Sequence, residues 1–434
     1  MNNQSIWKDS VDIKDYPKLD KDIETNVLIV GGGVVGILCA YELKKRNIEC
    51  VVVEKDKIGM GTSGDTTAFL TAQHETLYQD LIKEKGIEKA REYLSLNLKA
   101  LDKYKELSKK YDFDYKECNT SLFSVYSKEV IEREKEALDK LNYKSQVINS
   151  LPIDLKIESG ISFLNQATIN PLKLIKELSK ELTIYENTMI NELHGNIAYT
   201  KDNYKIKFNH VIIATHYPFR NISGFYFAKL TQRRSYVVAF KHEDIKDTFC
   251  AIDGDGLYFR SYKDYLIVGG FDRDNKEVCK EEYYKRIKEI FKDKEIEYAW
   301  SGQDCISVDG IPYIGKYDRF HSNYYVATGF HLWGFTWAMA SSFILSDLIE
   351  KKASYDLVSP RRSCLNKKLF SNIGNSLKHL ITFKKPRCKH LGCALHYNKI
   401  EKVWECPCHG SRYDNEGNVL DGPTLKGIKK SIEK

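Results

Sequence analysis

No apolar run opens this chain. Met1 to Thr25 is polar and charged, which predicts that no secretory signal peptide is present. An uninterrupted membrane span is lacking as well. The best candidate, Leu332 to Ile349, is broken by Ser341, Ser342, Ser346 and Asp347 and reads as a buried helix. Strong charge imbalance is missing too: 67 Lys and Arg stand against 60 Asp and Glu, a net +7 that reads as spread along the chain. Stretches such as Lys83-Glu84-Lys85 and Glu132-Arg133-Glu134-Lys135 alternate sign as solvated helix faces do, and predict no nucleic-acid partner. Seven cysteines (Cys39, Cys50, Cys118, Cys250, Cys279, Cys305 and Cys364) follow no regular spacing, as expected of reduced thiols in a cytoplasmic protein. At 434 residues, 42% hydrophobic and 29% charged, the chain has length and composition for two or three ordinary globular domains.

What is present is concentrated at two places. Near the C-terminus stand Cys388-Lys389-His390-Leu391-Gly392-Cys393 and Cys406-Pro407-Cys408-His409-Gly410-Ser411, with fifteen residues between His390 and Cys406. One cysteine and one histidine per box suit a [2Fe–2S] cluster in which two thiolates hold one iron and two imidazoles the other. Cys and His in pairs also make structural zinc sites, and against that reading each box holds an extra cysteine. The boxes resemble those of Rieske proteins. That resemblance implies Cys388, His390, Cys406 and His409 as ligands and a Cys393–Cys408 disulfide tying the two loops. It also implies that Ser411 and Tyr413 are hydroxyl donors to cluster sulfur or ligand thiolate, which raises the reduction potential.

The second place is near the start. Asn26 to Val30 reads as a buried parallel strand, Gly31-Gly32-Gly33-Val34-Val35-Gly36 follows, then a helical pattern, then the strand Cys50 to Val53 ending on Glu54. This is the dinucleotide fingerprint in its strand–turn–helix–strand–acid context. Gly31 makes the tight turn, Gly33 admits a pyrophosphate, Gly36 lets helix meet strand, and Glu54 accepts from ribose hydroxyls. The loop leaves FAD and NAD both open.

Further segments resemble the D-amino-acid-oxidase-like flavoproteins over roughly residues 24 to 352. They are Gly59-Met60-Gly61-Thr62-Ser63-Gly64, Val211 to His216 with Ala214-Thr215, Val308-Asp309-Gly310-Ile311-Pro312-Tyr313-Ile314-Gly315, and Tyr325 to Phe330. The resemblance implies FAD, with Thr62, Ser63, Ala214, Thr215, Gly329 and Gly334 near it and a helix from Thr336 aimed at the ring. It also implies a roofing antiparallel sheet, for which Leu122 to Tyr126, Arg233 to Phe240, Leu257 to Arg260 and Tyr265 to Gly269 are the candidate strands. Tyr236, Tyr258 and Arg260 on these strands are substrate-side candidates, and packing or solvent roles are equally compatible with them. Amino-acid oxidases of the group place a carboxylate-gripping arginine before the Asp-Gly-x-Pro signature, where this chain has Asp304. A carboxylate there favours a cation or hydroxyl donor over a simple α-amino acid, or caps a turn. His74, His216 and His331 lie near the flavin loops, and no catalytic residue is assigned.

The expected fold is α/β: a Rossmann-like FAD-binding domain (24–76, 150–225, 306–352) interleaved with a mostly antiparallel substrate domain (115–149, 226–305), then a linker helix (353–385) and a small all-β Rieske module (386–434). In the linker Leu365, Leu369, Ile373, Leu377, Leu380 and Ile381 recur at helical spacing beside Lys367, Lys368, Lys378, Lys384 and Lys385. A helix docked on the flavin domain is favoured over a basic amphipathic helix on a membrane, because Gly374 interrupts the stripe. The fused arrangement resembles bacterial FAD oxidoreductases with a C-terminal Rieske domain. It implies a dehydrogenase that passes electrons from an amine or related C–H donor through FAD and the cluster to an external acceptor, a protein or quinone. An electron-transfer or redox-sensing protein docking a partner, and a flavin oxidase with a vestigial cluster, are the alternatives.

Overall fold

The computed structural model describes residues 1–219, 223–273, 280–292, 294–382, 386–399 and 401–428. Cys279, Lys384 and Lys385 lie outside the described residues.

The first sheet is built on the fully buried run Val27, Leu28 and Ile29, whose strand (Ile23–Val30) has a parallel neighbour on each side. The strand order is Tyr313–Lys316, Tyr324–Thr328, Lys205–Ile213, Ile23–Val30, Cys50–Val53, Ile184–Tyr185, and only the first of these runs antiparallel. Helix Val34–Lys45 packs on this sheet and against Gly334–Ile349, the helix expected from Thr336. The latter is buried almost all round because it lies between sheet and helices, with Ser341 and Ser346 returning their hydroxyls to carbonyls one turn back.

The second sheet has nine strands, in the order Tyr298–Ser307, Leu230–Lys241, Tyr265–Arg273, Tyr258–Tyr262, Thr248–Ala251, Lys116–Ser124, Ser159–Thr168, Phe69–Leu70, with Ser145–Ile148 also on Ser159–Thr168. All its pairs are antiparallel except Thr248–Ala251 with Lys116–Ser124. Ser159–Thr168 falls within 150–225, a span expected in the FAD-binding part. Its Ile161 and Phe163 are fully buried opposite Leu122 and Thr120, so the strand serves the roof instead.

A third, four-stranded antiparallel sheet (His396–Asn398, Val403–Glu405, Arg412–Tyr413, Val419–Asp421) carries the C-terminal module. Its small core is Cys388, Cys393, Leu395, Cys406, Cys408, Tyr413 and Ile428. Helix Lys367–Ile381 joins it to the body. No helix among the described residues is long and apolar enough to cross a membrane.

Candidate functional site

A cavity of about 810 Å³ opens between the two large sheets. Gly31, Gly33, Glu54, Thr62, Ser63, Ala214, Thr215 and Gly334 all line it. Gly31 has φ +114°, and a Cβ there would lie 2.5 Å from the Ala214 carbonyl oxygen. At Gly36 an added Cβ would meet the Gly31 oxygen at 1.9 Å, so helix and strand touch only because that residue is glycine. The Ser63 hydroxyl accepts the Val34 amide (2.9 Å) at the helix N-terminus, and Glu54 accepts the Gly32 and Asp56 amides (2.7 and 3.0 Å). Burial raises the Glu54 pKa above the ordinary carboxyl range although both amides pull it down. A helix N-terminus, a glycine cradle and an acid at the strand end fit an adenine dinucleotide. Gly329 does not line the cavity; it makes the turn after Tyr324–Thr328 at φ +72°.

The substrate-side candidates separate. Tyr258 lines the cavity, edge-on to Phe69. Asp304 lines it too, opposite Arg233 in the strand register, and burial pushes its carboxyl up to about 6 against the pull of Arg233. Arg260 does not reach the cavity. It is 2% exposed, its guanidinium donates to the carbonyls of Thr67, Ala68 and Ile169 (3.0, 2.9 and 3.1 Å), and it ties the roof to neighbouring loops. Tyr236 also points elsewhere, its hydroxyl meeting Glu401 of the C-terminal module. Alternation along a strand places neighbours on opposite faces, and the sequence did not show which face of Leu230–Lys241 is the roof.

Of the histidines, His74 is a buried structural residue. It stacks on Trp333 (5.0 Å), bonds Tyr93 Oη and the Thr71 carbonyl (2.6 and 2.9 Å), and is held neutral by burial, its pKa pushed down to about 3. His216 lines the cavity at φ +62°, and burial lowers its pKa to about 4.

At the other end, the two boxes form matching loops. Gly392 N donates to Cys388 O (3.0 Å) and Gly410 N to Cys406 O (2.9 Å), with the two glycines at φ +85° and +74°. The sulfur atoms of Cys393, Cys406 and Cys408 lie within 4.8 Å of one another, and the His390 and His409 rings are 4.9 Å apart. His409 gives the clearest test of fit. Its Nε2 lies 2.8 Å from the Phe227 carbonyl, which can only accept, so Nε2 carries a proton and donates it. The buried Nδ1 has no hydrogen bond of ordinary geometry among the described residues and lies on the side of Cys406, where it is placed to serve as a metal ligand. Burial and the neighbouring His409 push His390 down to about 3, so its imidazole is neutral. Tyr413 Oη donates to Cys388 Sγ (3.3 Å), as does the His390 amide (3.4 Å). Ser411 is fully buried, its hydroxyl oxygen accepting the Thr424 amide (3.3 Å). Cys393 and Cys408 stand side by side as free thiols. The residues fit a [2Fe–2S] cluster held by two thiolates and two imidazoles.

Residues not singled out in the sequence join the two ends. Tyr217, one position past His216, lines the cavity and sets its ring edge-on to both His390 (5.9 Å) and His409 (6.2 Å). Gly410 lies so close to Gln232 and Gln303 that a Cβ would be 2.2 Å from Gln303 Nε2, which donates to the Gly410 carbonyl (3.0 Å). Arg234 reaches Asp421 (2.6 Å) while also holding Ser301 and Gln303 (2.7 and 3.1 Å). Arg412 completes a network with Glu401, Glu405 and Asp421. Burial works to raise the Asp421 pKa, but Arg234 and Arg412 win and hold it below the carboxylate range. Leu420 to Leu425 of the module close one side of the cavity. The sole advance signal was position: Tyr217 follows the Ala-Thr strand end, and Arg233-Arg234 lead a roof strand.

Comparison with known proteins agrees with this geometry. The FAD dependent oxidoreductase (DAO) family matches residues 26–348, and the Rieske [2Fe-2S] domain matches residues 376–431. The Rieske 2Fe-2S iron-sulfur protein YhfW of Bacillus subtilis is 31% identical, over 98% of this chain and 97% of its own. Glycine oxidase from Geobacillus kaustophilus (TM-score 0.66, 18% identity, 79% of this chain and 99% of that one) shares the fold. So does L-proline dehydrogenase from P. horikoshii (0.65, 19%, 80% and 98%). The chain therefore belongs to the FAD-dependent oxidoreductases of the D-amino-acid-oxidase type, an enzyme family, and carries FAD together with a C-terminal Rieske [2Fe–2S] domain.

Proposed function

We propose that the protein is a dehydrogenase that oxidises an amine or related C–H donor at the cavity and delivers the electrons through its Rieske module to an external acceptor, a protein or a quinone. Bound FAD accepts a hydride and can release its two electrons singly, and a Rieske centre carries one electron at a time. The observation that carries this reading is Tyr217, one side chain that is at once cavity wall and packing partner of both ligand imidazoles. Around it the chain fixes rather than tethers the module. Phe227 orients His409, Gln303 holds Gly410, and Arg234 clamps Asp421.

On the donor side, Asp304 supplies a carboxyl beside Arg233 at the cavity wall, suited to an ammonium or hydroxyl group. The fold relatives named for glycine and L-proline support a nitrogen-bearing donor. The Cys393 and Cys408 thiols, already adjacent, are proposed to form the disulfide that ties the ligand loops, giving two electrons and two protons to an external disulfide oxidant. His409→Ala tests the relay. Steady-state turnover with an external acceptor should collapse while single-turnover flavin reduction by the donor survives; equal loss of both would reject it.

A further inference from the structure

The helix that joins the two parts of the molecule is turned inside out. Its polar residues face the protein: Asn372 donates to the Ala228 carbonyl (3.1 Å), Asn375 to Pro407 (3.2 Å), Ser376 is its buried residue, and the His379 carbonyl accepts the Ala394 amide (3.0 Å). Leu369 and Ile373 are half-buried, whereas Phe370 is 64%, Leu377 52% and Ile381 70% exposed, and Leu365 just before the helix is 76% exposed. On a helical projection Phe370, Leu377 and Ile381 fall on one stripe, and Lys367 and Lys378 run together along one side of it, just beyond Gly374. The sequence expected Gly374 to break a stripe docked on the flavin domain. In the structure the helix does dock on the body, through its polar side, Leu369 and Ile373 are half-buried, and the free face is Phe370, Leu377 and Ile381, with Gly374 at its edge.

Charge says what this face fits. Between Asp356 and Glu401 the chain has ten Lys and Arg and no Asp or Glu, so the positive excess is gathered here rather than spread along the chain. Arg361 and Arg362 are engaged with the body, at the Asp318 carbonyl and Asp309. Lys367, Lys368, Lys378 and Lys389 are exposed. A nucleic acid would use the lysines but leave Phe370, Leu377 and Ile381 in water, whereas an anionic bilayer takes both. We propose that helix Lys367–Ile381 is an interfacial anchor that seats the protein on an anionic membrane surface, apolar stripe in the headgroup–acyl boundary and lysines among the phosphates. Leu380 abuts the cluster loop at Gly392, so the anchor holds the module against the bilayer, within reach of a membrane acceptor. The anchor stands on the helix alone and does not depend on the electron relay.

The test is flotation of the cofactor-loaded protein with phosphatidylcholine vesicles and with vesicles containing about a third phosphatidylglycerol. Wild type should float with the anionic vesicles, more weakly at high salt, and far less with neutral ones. Lys367→Gln/Lys378→Gln should weaken partitioning about thirtyfold, from ~1 kcal/mol per lysine. Leu377→Glu/Ile381→Glu should abolish it, with flavin and cluster spectra unchanged because these side chains touch neither site. No binding to anionic vesicles would overturn the proposal, and so would binding indifferent to both variants. Failure to float together with a dimer in light scattering that Leu377→Glu/Ile381→Glu dissolves would assign the face to a second copy instead.

Discussion

At the flavin end the wall is mostly main chain, set by glycines at 31, 33 and 36 and by amides that Glu54 and Ser63 occupy. At the cluster end the wall is side chains reaching from other elements: Arg234 and Gln303 on the roofing sheet, Tyr217 on a loop, and the Asn375 amide on the connecting helix. Main-chain walls are fixed by local sequence, because a positive φ or a missing Cβ acts on its own neighbours. Side-chain walls depend on two separate pieces of chain arriving together. The first end should therefore fail abruptly at single glycines, and the second gradually, through loss of docking.

Gly36→Val breaks the comparison hardest. A Cβ at 1.9 Å from the Gly31 oxygen cannot be accommodated without parting helix from strand. Overpacking of this kind costs roughly 3 kcal/mol or more. Purified variant should carry almost no flavin and melt several degrees lower, and stoichiometric flavin would refute the close-packing role. Arg234→Ala is the counterpart at the other end. It removes the clamp on Asp421 and leaves that carboxylate to Arg412, a loss of about 1–3 kcal/mol for a partly buried charged contact. Flavin and iron contents should stay normal, while limited proteolysis near the connecting helix quickens and electron delivery to the cluster slows. Unchanged proteolysis would mean that Gln303 and Phe227 suffice.

Asp304 belongs to both ends, since it sits on the strand that carries Gln303. Its folded pKa, near 6, lies above the ordinary 3.8, so the folded state holds its proton more tightly. The stability from that proton is complete below about pH 4 and is lost as pH rises through 6. Asp304→Asn should therefore match wild type at pH 4.5 more nearly than at pH 8, where it gains about 1–2 kcal/mol, a figure discounted for the water at its open side. Urea unfolding at the two pH values checks this, and an equal gain at both would show that the carboxyl does not titrate in the window. For a cationic donor, kcat/KM should rise through pH 6 in wild type, and that limb should vanish in the variant.

The same contrast explains what the sequence disclosed. The strand–glycine–helix unit and the two Cys/His boxes could be read because their chemistry is contiguous, and Gly36 needs no knowledge of anything beyond Gly31. Tyr236 and Arg260 could not be placed, because both alternate along roof strands and only the assembled sheet decides which face meets the cavity. Tyr217 and Arg234 carried no motif at all; their partners lie some 170 to 190 residues away in sequence, across a joint formed only on folding. The connecting helix docks on the body as expected, but which side docks could not be read for a related reason. An apolar stripe normally marks the buried face, and here the asparagines and Ser376 occupy that side.

The smallest effect expected sharpens the account of the cluster itself. Tyr413 is fully buried, its hydroxyl donating to Cys388 Sγ (3.3 Å) and accepting the Lys389 amide (3.0 Å). A donor to a ligand thiolate stabilises the more negative, reduced state, so removing it should lower the reduction potential. Tyr413→Phe keeps the ring and its packing in the module core, which separates the hydrogen bond from the shape. One such bond is worth ~1 kcal/mol, or about 40 mV for a one-electron couple. Potentiometric titration of the cluster should find a downward shift of that order with flavin potential and iron content unchanged. If the potential does not move, the Tyr413 hydroxyl serves the Lys389 amide alone, and the ligand loop is positioned by Tyr413 rather than tuned by it.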